Sequence, residues 1–349
     1  MKEIAQHLIA WYHQNKRDLP WRNTQDPYKI WLSEIILQQT RVEQGTPYYL
    51  HFIETYPTVF DLANAPEAQV LRSWQGLGYY SRARNLHFAA KEVLAKHKGQ
   101  FPNNYETLIQ LKGVGEYTAA AIASFAFGEA KAVVDGNVFR VLARLFNIAT
   151  PINTGAGKKE FTVLANQFID PKNPALFNQA IMEFGAIQCK PKPICETCPF
   201  QHMCSAYEKQ NIDQLPVKNN KLKIRARYFH YLHIEHEGGL YINRRIGKDI
   251  WQHLYEMPLI ETVSELPENE MMQNAEWQNI FADATITIQH ISTKFKHVLT
   301  HQHIYAKFWK INVSPEWHKN QAFYQYIKDD ELKIYPIPRL IEQYFQKNT

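Results

Sequence analysis

Apolar side chains recur at helical spacing through the first two hundred residues. Ile4, Leu8, Ile9 and Tyr12 form one stripe, and Ile30, Trp31, Ile35 and Leu37 form another. Leu71 with Trp74, then Leu86 and Phe88 with Val93 and Leu94, continue the pattern. Ala119 to Phe127 reads as a small-residue helix, and Val138, Val141, Leu142 and Leu145 line a further one. Leu19-Pro20, Gly76-Leu77-Gly78 and Phe101-Pro102 punctuate these segments. After Cys204 the texture changes. Residues 216 to 227 carry Lys218, Lys221, Lys223, Arg225 and Arg227 and no acid, which predicts an exposed basic linker. Beyond it, Tyr228 to Glu235 alternates, Gly238-Gly239 turns into Leu240-Tyr241-Ile242, and Thr285 to Ile291 and His303 to Ile311 read as strands. The pattern predicts a mostly α domain over 1–210, a linker over 211–227 and a smaller α+β domain over 228–349.

Composition narrows the function classes. The chain has 349 residues, 45% hydrophobic and 21% charged, which excludes wholesale disorder, collagen and coiled coil. The longest near-apolar run, Ala119 to Phe127, is too short to span a bilayer. The first residues lack the apolar core of a signal peptide, so an intracellular, cytoplasmic protein is expected. A net charge of +5 permits a polyanionic partner.

The four cysteines, Cys189, Cys195, Cys198 and Cys204, fall within sixteen residues. A disulfide framework would spread them, so the clustering points to a metal centre. Structural zinc usually takes two close pairs. Here only Cys195 and Cys198 are close, and the wider arms suit an iron–sulfur cubane better than a zinc knuckle. With all four corners filled by protein, the loop suits a structural and DNA-docking role.

Gly113 and Gly115, with Lys112 before them, separate a helix ending near Leu111 from the helix at Ala119 to Phe127. This is either a plain helical hairpin or a turn whose backbone N–H groups hold a phosphate without reading sequence. Glu34 stands among Ile30, Trp31, Leu37 and Gln38 on a helix. A carboxyl on so apolar a face is desolvated and suited to general acid work, unless it sits at the polar edge beside Arg41. Asp135 precedes Gly136-Asn137 and the helix from Val138, where it serves as an N-cap or as a second carboxylate. Two carboxyls suit glycosidic cleavage, although periodicity does not bring these two together.

Taken together, the hairpin with Gly113-Val114-Gly115, the segment Val134-Asp135-Gly136-Asn137 and the cysteine loop resemble the endonuclease III superfamily of DNA glycosylases. Within it, Arg17-Asp18-Leu19-Pro20-Trp21-Arg22, Ser33 to Thr40 and Gly76 to Asn85 resemble the adenine DNA glycosylases of the MutY type. The resemblance implies a helix–hairpin–helix domain with a 4Fe–4S cluster on the four cysteines, followed by a Nudix-like domain. It also implies that adenine opposite 8-oxoguanine or guanine is flipped from double-stranded DNA into a pocket. Glu34 then matches the acid that protonates the adenine ring. Asp135 matches the carboxylate that stabilises the sugar cation, with Tyr117 and Asn137 positioning it. Arg17, Leu19, Trp21 and Gln179 match the adenine pocket, though helix packing alone would also account for Trp21. Gln39 and Tyr79, with Leu37, match the wedge that enters the base stack, and Gln38 is a further candidate DNA-binding residue. Strand-nicking relatives carry a lysine where this chain has Tyr117, so the resemblance implies a monofunctional hydrolase. A monomer with no membrane partner is expected.

Two departures stand out. The family usually has six residues between the first two cysteines, and this chain has five. The second domain resembles the family's Nudix-like module around Trp251 to Pro258 but lacks the Arg-Glu-x-x-Glu-Glu run that holds magnesium. It is therefore expected to recognise 8-oxoguanine and not to act as a nucleotide pyrophosphatase. Leu299-Thr300-His301 stands where relatives often have Phe-Ser-His, so Thr300 keeps a hydroxyl and Leu299 lacks an aromatic face. The rival readings are a thymine or uracil mismatch glycosylase of the same fold, and a non-catalytic DNA-binding scaffold with a structural metal loop.

Overall fold

The computed structural model describes residues 2–219, 224–282, 284–319 and 323–348; Lys221 and Lys223 of the basic segment lie outside them. Its helices are α1 (Lys2–Asn15), α2 (Pro27–Ile36), α3 (Val42–Thr55), α4 (Val59–Asn64), α5 (Glu67–Ser73), α6 (Ser81–His97), α7 (Tyr105–Leu108) and α8 (Glu116–Phe127). There follow α9 (Gly136–Leu145), α10 (Gly155–Phe168), α11 (Pro174–Glu183) and α12 (Ser205–Glu208), with 3-10 turns at Pro20–Arg22, Gln201–Met203 and Ile212–Gln214. The strands are β1 (Arg225–His236), β2 (Gly239–Arg244), β3 (Tyr255–Glu256), β4 (Leu259–Thr262), β5 (Ile286–Ile291), β6 (Phe295–Val298), β7 (Gln302–Val313) and β8 (Gln325–Lys328). Helices α13 (Glu268–Met272), α14 (Ala275–Phe281), α15 (Pro315–Lys319) and α16 (Arg339–Asn348) are interspersed with them. No described helix is long and apolar enough to cross a membrane.

The chain forms two compact units, Met1–Asn64 with Asn85–Asn220, and Ala65–Arg84 with Lys221–Thr349. In the first, local chemistry starts the helices that matter. Asp26 caps α2, accepting from the Tyr28 N–H, and Pro27 occupies the first turn, where a missing N–H costs nothing. Tyr28 and every residue from Ile30 to Ile36 are buried, so α2 runs through the interior. Seven of the twelve residues of α8 are Ala, Ser or Thr, and the helix packs closely against α2. A core built on Leu8, Tyr12, Val138, Leu142, Phe161, Phe177 and Phe184 joins α1, α9, α10 and α11.

In the second unit the sheet order is β3-β2-β1-β7-β5, with β4 beside β1, β6 beside β7 and β8 beside β2. The central pair, β1 and β7, is parallel, with Phe229 opposite Ala306 and Leu232 opposite Trp309. Both strands are buried along most of their length. Ala65–Arg84 belongs here, although its periodicity reads as a continuation of the helical region. The reason is a set of polar ties that no local pattern reveals. Gln75 donates to Glu342 (2.9 Å), Arg84 donates to the Gln252 carbonyl (2.7 Å), and His253 meets Glu67 at 3.0 Å.

The basic segment also departs from its reading as exposed linker. Arg225 and Arg227 open β1, and Arg227 is only 5% exposed. Its guanidinium donates to Glu261 at 2.6 and 2.7 Å and to Asp249 at 2.7 and 2.9 Å. The run of cations had no acid nearby in sequence, and these partners arrive from distant loops and strands.

Two histidines in β1 make the second unit acid-sensitive. Trp309 donates its indole N–H to Nδ1 of His230 (3.2 Å), and Nδ1 of His233 pairs with the Tyr344 hydroxyl (2.8 Å). Burial pushes each imidazole down to about 4. A histidine with a depressed folded value takes up its proton more readily in the unfolded chain, so stability is lost as pH falls from 6.5 toward 4. At pH 5 each is expected to cost on the order of 2 kcal/mol relative to pH 7. Hydrogen exchange in β1 and β7, corrected for intrinsic rates, measures this. Equal protection at the two pH values would contradict the assignment.

Candidate active site

Glu34 lies on α2 and is 8% exposed. It hydrogen-bonds to Tyr117 in the first turn of α8 and lies within electrostatic reach of Asp135 and Arg22. Burial raises its carboxyl from 4.5 to about 7; Tyr117 and Arg22 oppose the rise and Asp135 adds to it. Arg41, the polar-edge partner weighed from the sequence, is not among these influences. Burial likewise drives the Tyr117 hydroxyl well above its usual range, so it stays a donor.

Asp135 is the N-cap of α9. Its Oδ1 accepts from the backbone N–H groups of Asn137 (2.9 Å) and Val138 (2.8 Å), and Oδ2 accepts from the Asn137 amide (2.7 Å). Burial raises this carboxyl, and the three hydrogen bonds pull against the rise. Asn178, fully buried, holds the approach to Asp135 by accepting from the Val133 N–H (3.0 Å) and donating to the Lys131 carbonyl (2.9 Å). Of the two readings the sequence left open for Asp135, the structure shows the N-cap.

Of the residues Arg17, Leu19, Trp21 and Gln179, Arg17 is tied to a residue the sequence reading missed. Glu183, at the end of α11, has a side chain with no exposure and accepts from Arg17 Nε (2.9 Å), from Arg17 N (2.9 Å) and from Arg22 (2.6 Å). Burial pushes Glu183 up, but together the two arginines outweigh it and hold the carboxyl at about 2. Tyr12 donates to Gln179 (2.7 Å), Trp21 packs edge-on against Tyr49, and Leu19 is buried. The available signal was positional: Glu183 follows Gln179 by one helical turn, and Arg22 closes the stretch that contains Arg17.

At the hairpin, only Gly113 needs its freedom. Its φ is 76°, and a Cβ there would stand 2.6 Å from that of Asn85. Gly115 is extended and caps α8 with its open N-terminus. The Lys112 N–H donates to Glu92 (3.0 Å), and its side chain is exposed. Leu37 caps α2, Gln38 donates to Thr118 (3.3 Å), and Gln39 adopts a φ of 55°. Tyr79 has a φ of 47° and belongs to the second unit, with Thr300 and His301. Its hydroxyl pairs with that of Thr300. These three residues, with Tyr80, Arg84 and Trp251, line a cavity of about 280 Å³. A cavity of about 760 Å³ in the first unit, lined by Tyr28, Phe60, Phe101 and Phe127, includes none of the candidate residues.

The four cysteines are unbridged and line one small cavity with Arg144. Among the described residues no three potential ligands stand close enough to hold a single ion. Four thiols spaced around a shared void fit a polynuclear cluster better than one ion with bonds of about 2.3 Å. Arg144 donates to the carbonyls of Lys190 (2.8 Å) and Pro191 (3.0 Å) and approaches the Cys189 sulfur (3.6 Å), offsetting thiolate charge. Arg140 joins the Cys189 carbonyl (2.8 Å) to the Asn137 side chain (2.8 Å). Gly185 permits the approach, since a Cβ there would lie 2.6 Å from that of Asn137. Arg140 and Arg144 thus tie the first arm of the loop to α9.

Comparisons with known proteins agree with this geometry. Residues 32–166 match the HhH-GPD superfamily of base excision DNA repair proteins, and residues 230–347 match the NUDIX domain. A protein of Buchnera aphidicola called adenine DNA glycosylase is 34% identical over 89% of this chain and 85% of its own length. The human protein of that name is 44% identical over 60% of this chain and 40% of its own length. Among solved structures, a thermostable thymine-DNA glycosylase is 33% identical with a TM-score of 0.56, covering 60% of this chain and 96% of its own. An endonuclease III–DNA complex at 22% identity, TM-score 0.51, covers 60% and 95% and shares the fold.

The buried acid has a stability cost. With a folded value near 7, Glu34 makes the native state hold a proton that the unfolded chain has lost, so stability falls as pH rises from 4.5 to 7. Glu34→Gln is expected to stabilise the helical unit by about 2–3 kcal/mol at pH 8 and by under about 1 kcal/mol at pH 5. Urea unfolding at the two pH values checks this; an equal gain at both would show that the carboxyl is ionised throughout.

Proposed function

Because the chain belongs to the adenine DNA glycosylase family, with relatives across bacteria, plants and mammals, we propose that it is a base excision repair enzyme that hydrolyses the N-glycosidic bond of adenine mispaired with 8-oxoguanine or guanine in double-stranded DNA. The observation that carries this reading is a pair of carboxyls whose surroundings differ, Glu34 buried and Asp135 half-buried. Glu34 has one hydroxyl partner on an apolar helix face, whereas Asp135 has three donors at a helix N-terminus. Such a pair divides into acid and charge stabiliser.

In the proposed mechanism, the flipped adenine enters the pocket of Arg17, Leu19, Trp21 and Gln179. Glu34 gives its proton to the adenine ring, and the electron pair of the glycosidic bond leaves with the base. The Asp135 carboxylate faces the sugar carbon as positive charge develops, either by electrostatics or as a covalent ester, before water attacks. Tyr117 orients both carboxyls. Asn137 fixes the Asp135 oxygen that faces the sugar. Tyr117 offers no amine, so no Schiff base forms and the strand stays intact. Leu37, Gln38, Gln39 and Tyr79 fill the stack, and backbone N–H groups around Gly113 and Gly115, with Lys112, hold phosphate. Thr300 and His301 read 8-oxoguanine in the second unit, which does no hydrolysis of its own. Cys189, Cys195, Cys198 and Cys204 would hold a 4Fe–4S cluster, which when bound supplies a rigid cross-link of the loop. The protein acts inside the cell as a monomer.

Glu34→Gln is expected to lower single-turnover adenine release by about 10²–10⁴-fold with DNA affinity nearly unchanged. A rate within threefold of wild type would overturn the acid assignment. Release of thymine instead of adenine would favour the other glycosylase of this fold, and binding without any release would favour a scaffold. Borohydride is expected to trap no wild-type complex on an A:8-oxoguanine duplex, while Tyr117→Lys gains some trapping. Thr300→Ala and His301→Ala are expected to narrow the preference for 8-oxoguanine over guanine and to leave A:G cleavage intact. A colourless protein with one zinc would overturn the cluster.

A further inference from the structure

Glu183 is the most completely enclosed carboxylate among the described residues of the helical unit. Its two oxygens collect hydrogen bonds from the backbone and guanidinium of Arg17 and from the guanidinium of Arg22. The second guanidinium nitrogen of Arg22 donates back to the Arg17 carbonyl (3.1 Å), and its carbon lies 5.7 Å from the centre of the Tyr12 ring. Tyr12 in turn donates to Gln179. Both arginines and Gln179 thus hang on one buried anion.

We infer that Glu183 is a positioning residue that governs how much positive charge Glu34 meets, by pairing Arg22 and Arg17 in a cluster of net charge +1. This inference rests on Glu34 being the acid of the proposed reaction. The charged and titratable groups facing Glu34 are Tyr117 from α8, Asp135 from the start of α9 and Arg22 from the 3-10 turn, with Glu183 of α11 behind Arg22. Arg22 favours the carboxylate form of Glu34, and Asp135 favours the protonated form. If Glu183 were neutral, the arginine cluster would carry +2 and draw the proton off Glu34 at lower pH. A change of charge within electrostatic reach of a buried carboxyl moves its titration. The same carboxylate orders Arg17 of the proposed adenine pocket and Arg22 beside it in the cluster, so one residue couples base recognition to proton supply.

The test is the pH profile of single-turnover adenine release on an A:8-oxoguanine duplex, using full-length protein with its cysteine loop loaded. In wild type the rate is expected to fall along an alkaline limb as Glu34 loses its proton. Glu183→Gln should move that limb to lower pH by about 0.5–1 unit, and Arg22→Gln should move it to higher pH. Glu183→Asp should keep the wild-type limb with a slower rate. A merely structural Glu183 would lower the rate and leave the limb in place. Limbs that stay put in both neutral variants, or shift in the same direction, overturn the inference. If Glu183→Gln does not fold, Arg22→Gln decides alone, because an unmoved limb there has the same force. Glu34→Gln in the same series separates the inference from its premise. A wild-type rate there removes the acid and the inference with it, whereas loss of rate with unmoved limbs removes the inference alone.

Discussion

A carboxylic acid held inside an apolar helix face, with a hydroxyl and no cation as its hydrogen-bond partner, is the constraint around which the helical unit is organised. Ionised in such a place, Glu34 would lack solvation worth several kcal/mol. The protein answers by keeping the proton on at near-neutral pH, and a retained proton is what a leaving base requires. Every neighbour then has to respect that balance. Asp135 stands near enough to favour the proton, and Arg22 near enough to oppose it. The small residues of α8 bring Tyr117 close to α2 without displacing either helix.

Three polar groups of this unit sit in hydrogen-bonded sets. Asp135 has three donors, Glu183 is gripped by two arginines, and Asn178 satisfies both ends of its amide. A buried polar group left half-satisfied would cost more than an apolar replacement. Arg140 and Arg144, one turn apart on α9, extend this economy to the cysteine loop, bonding its carbonyls where no strand or helix does. The helix that begins at Asp135 therefore carries a hydrogen-bonded carboxyl at its cap and the anchor of the thiol loop on its side.

Much of this was legible in the sequence. The stripes at Ile30 to Leu37 and Val138 to Leu145 announce α2 and α9 because burial of one face imposes a 3.6-residue period. Glu34 betrays itself as the polar exception on an apolar face. Clustered cysteines cannot hide. What pattern could not supply was partnership across the fold: Tyr117 reaching Glu34, Glu183 taking Arg17 and Arg22, or Arg227 finding Asp249 and Glu261. A period describes which side of an element is buried and says nothing about what lies opposite. For the same reason Ala65–Arg84 reads as one more helical stretch, although Gln75, Arg84 and Glu67 tie it to the strand-bearing unit.

The central claim is that Glu34 keeps its proton near neutral pH, and infrared difference spectroscopy of the carboxyl stretch tests it most directly. Wild type minus Glu34→Gln is predicted to show a protonated-carboxyl band at pH 6 that disappears by about pH 8.5, with no substrate present. A difference spectrum carrying only a carboxylate band at pH 6 would contradict the account, since Glu34 would then have no proton to give.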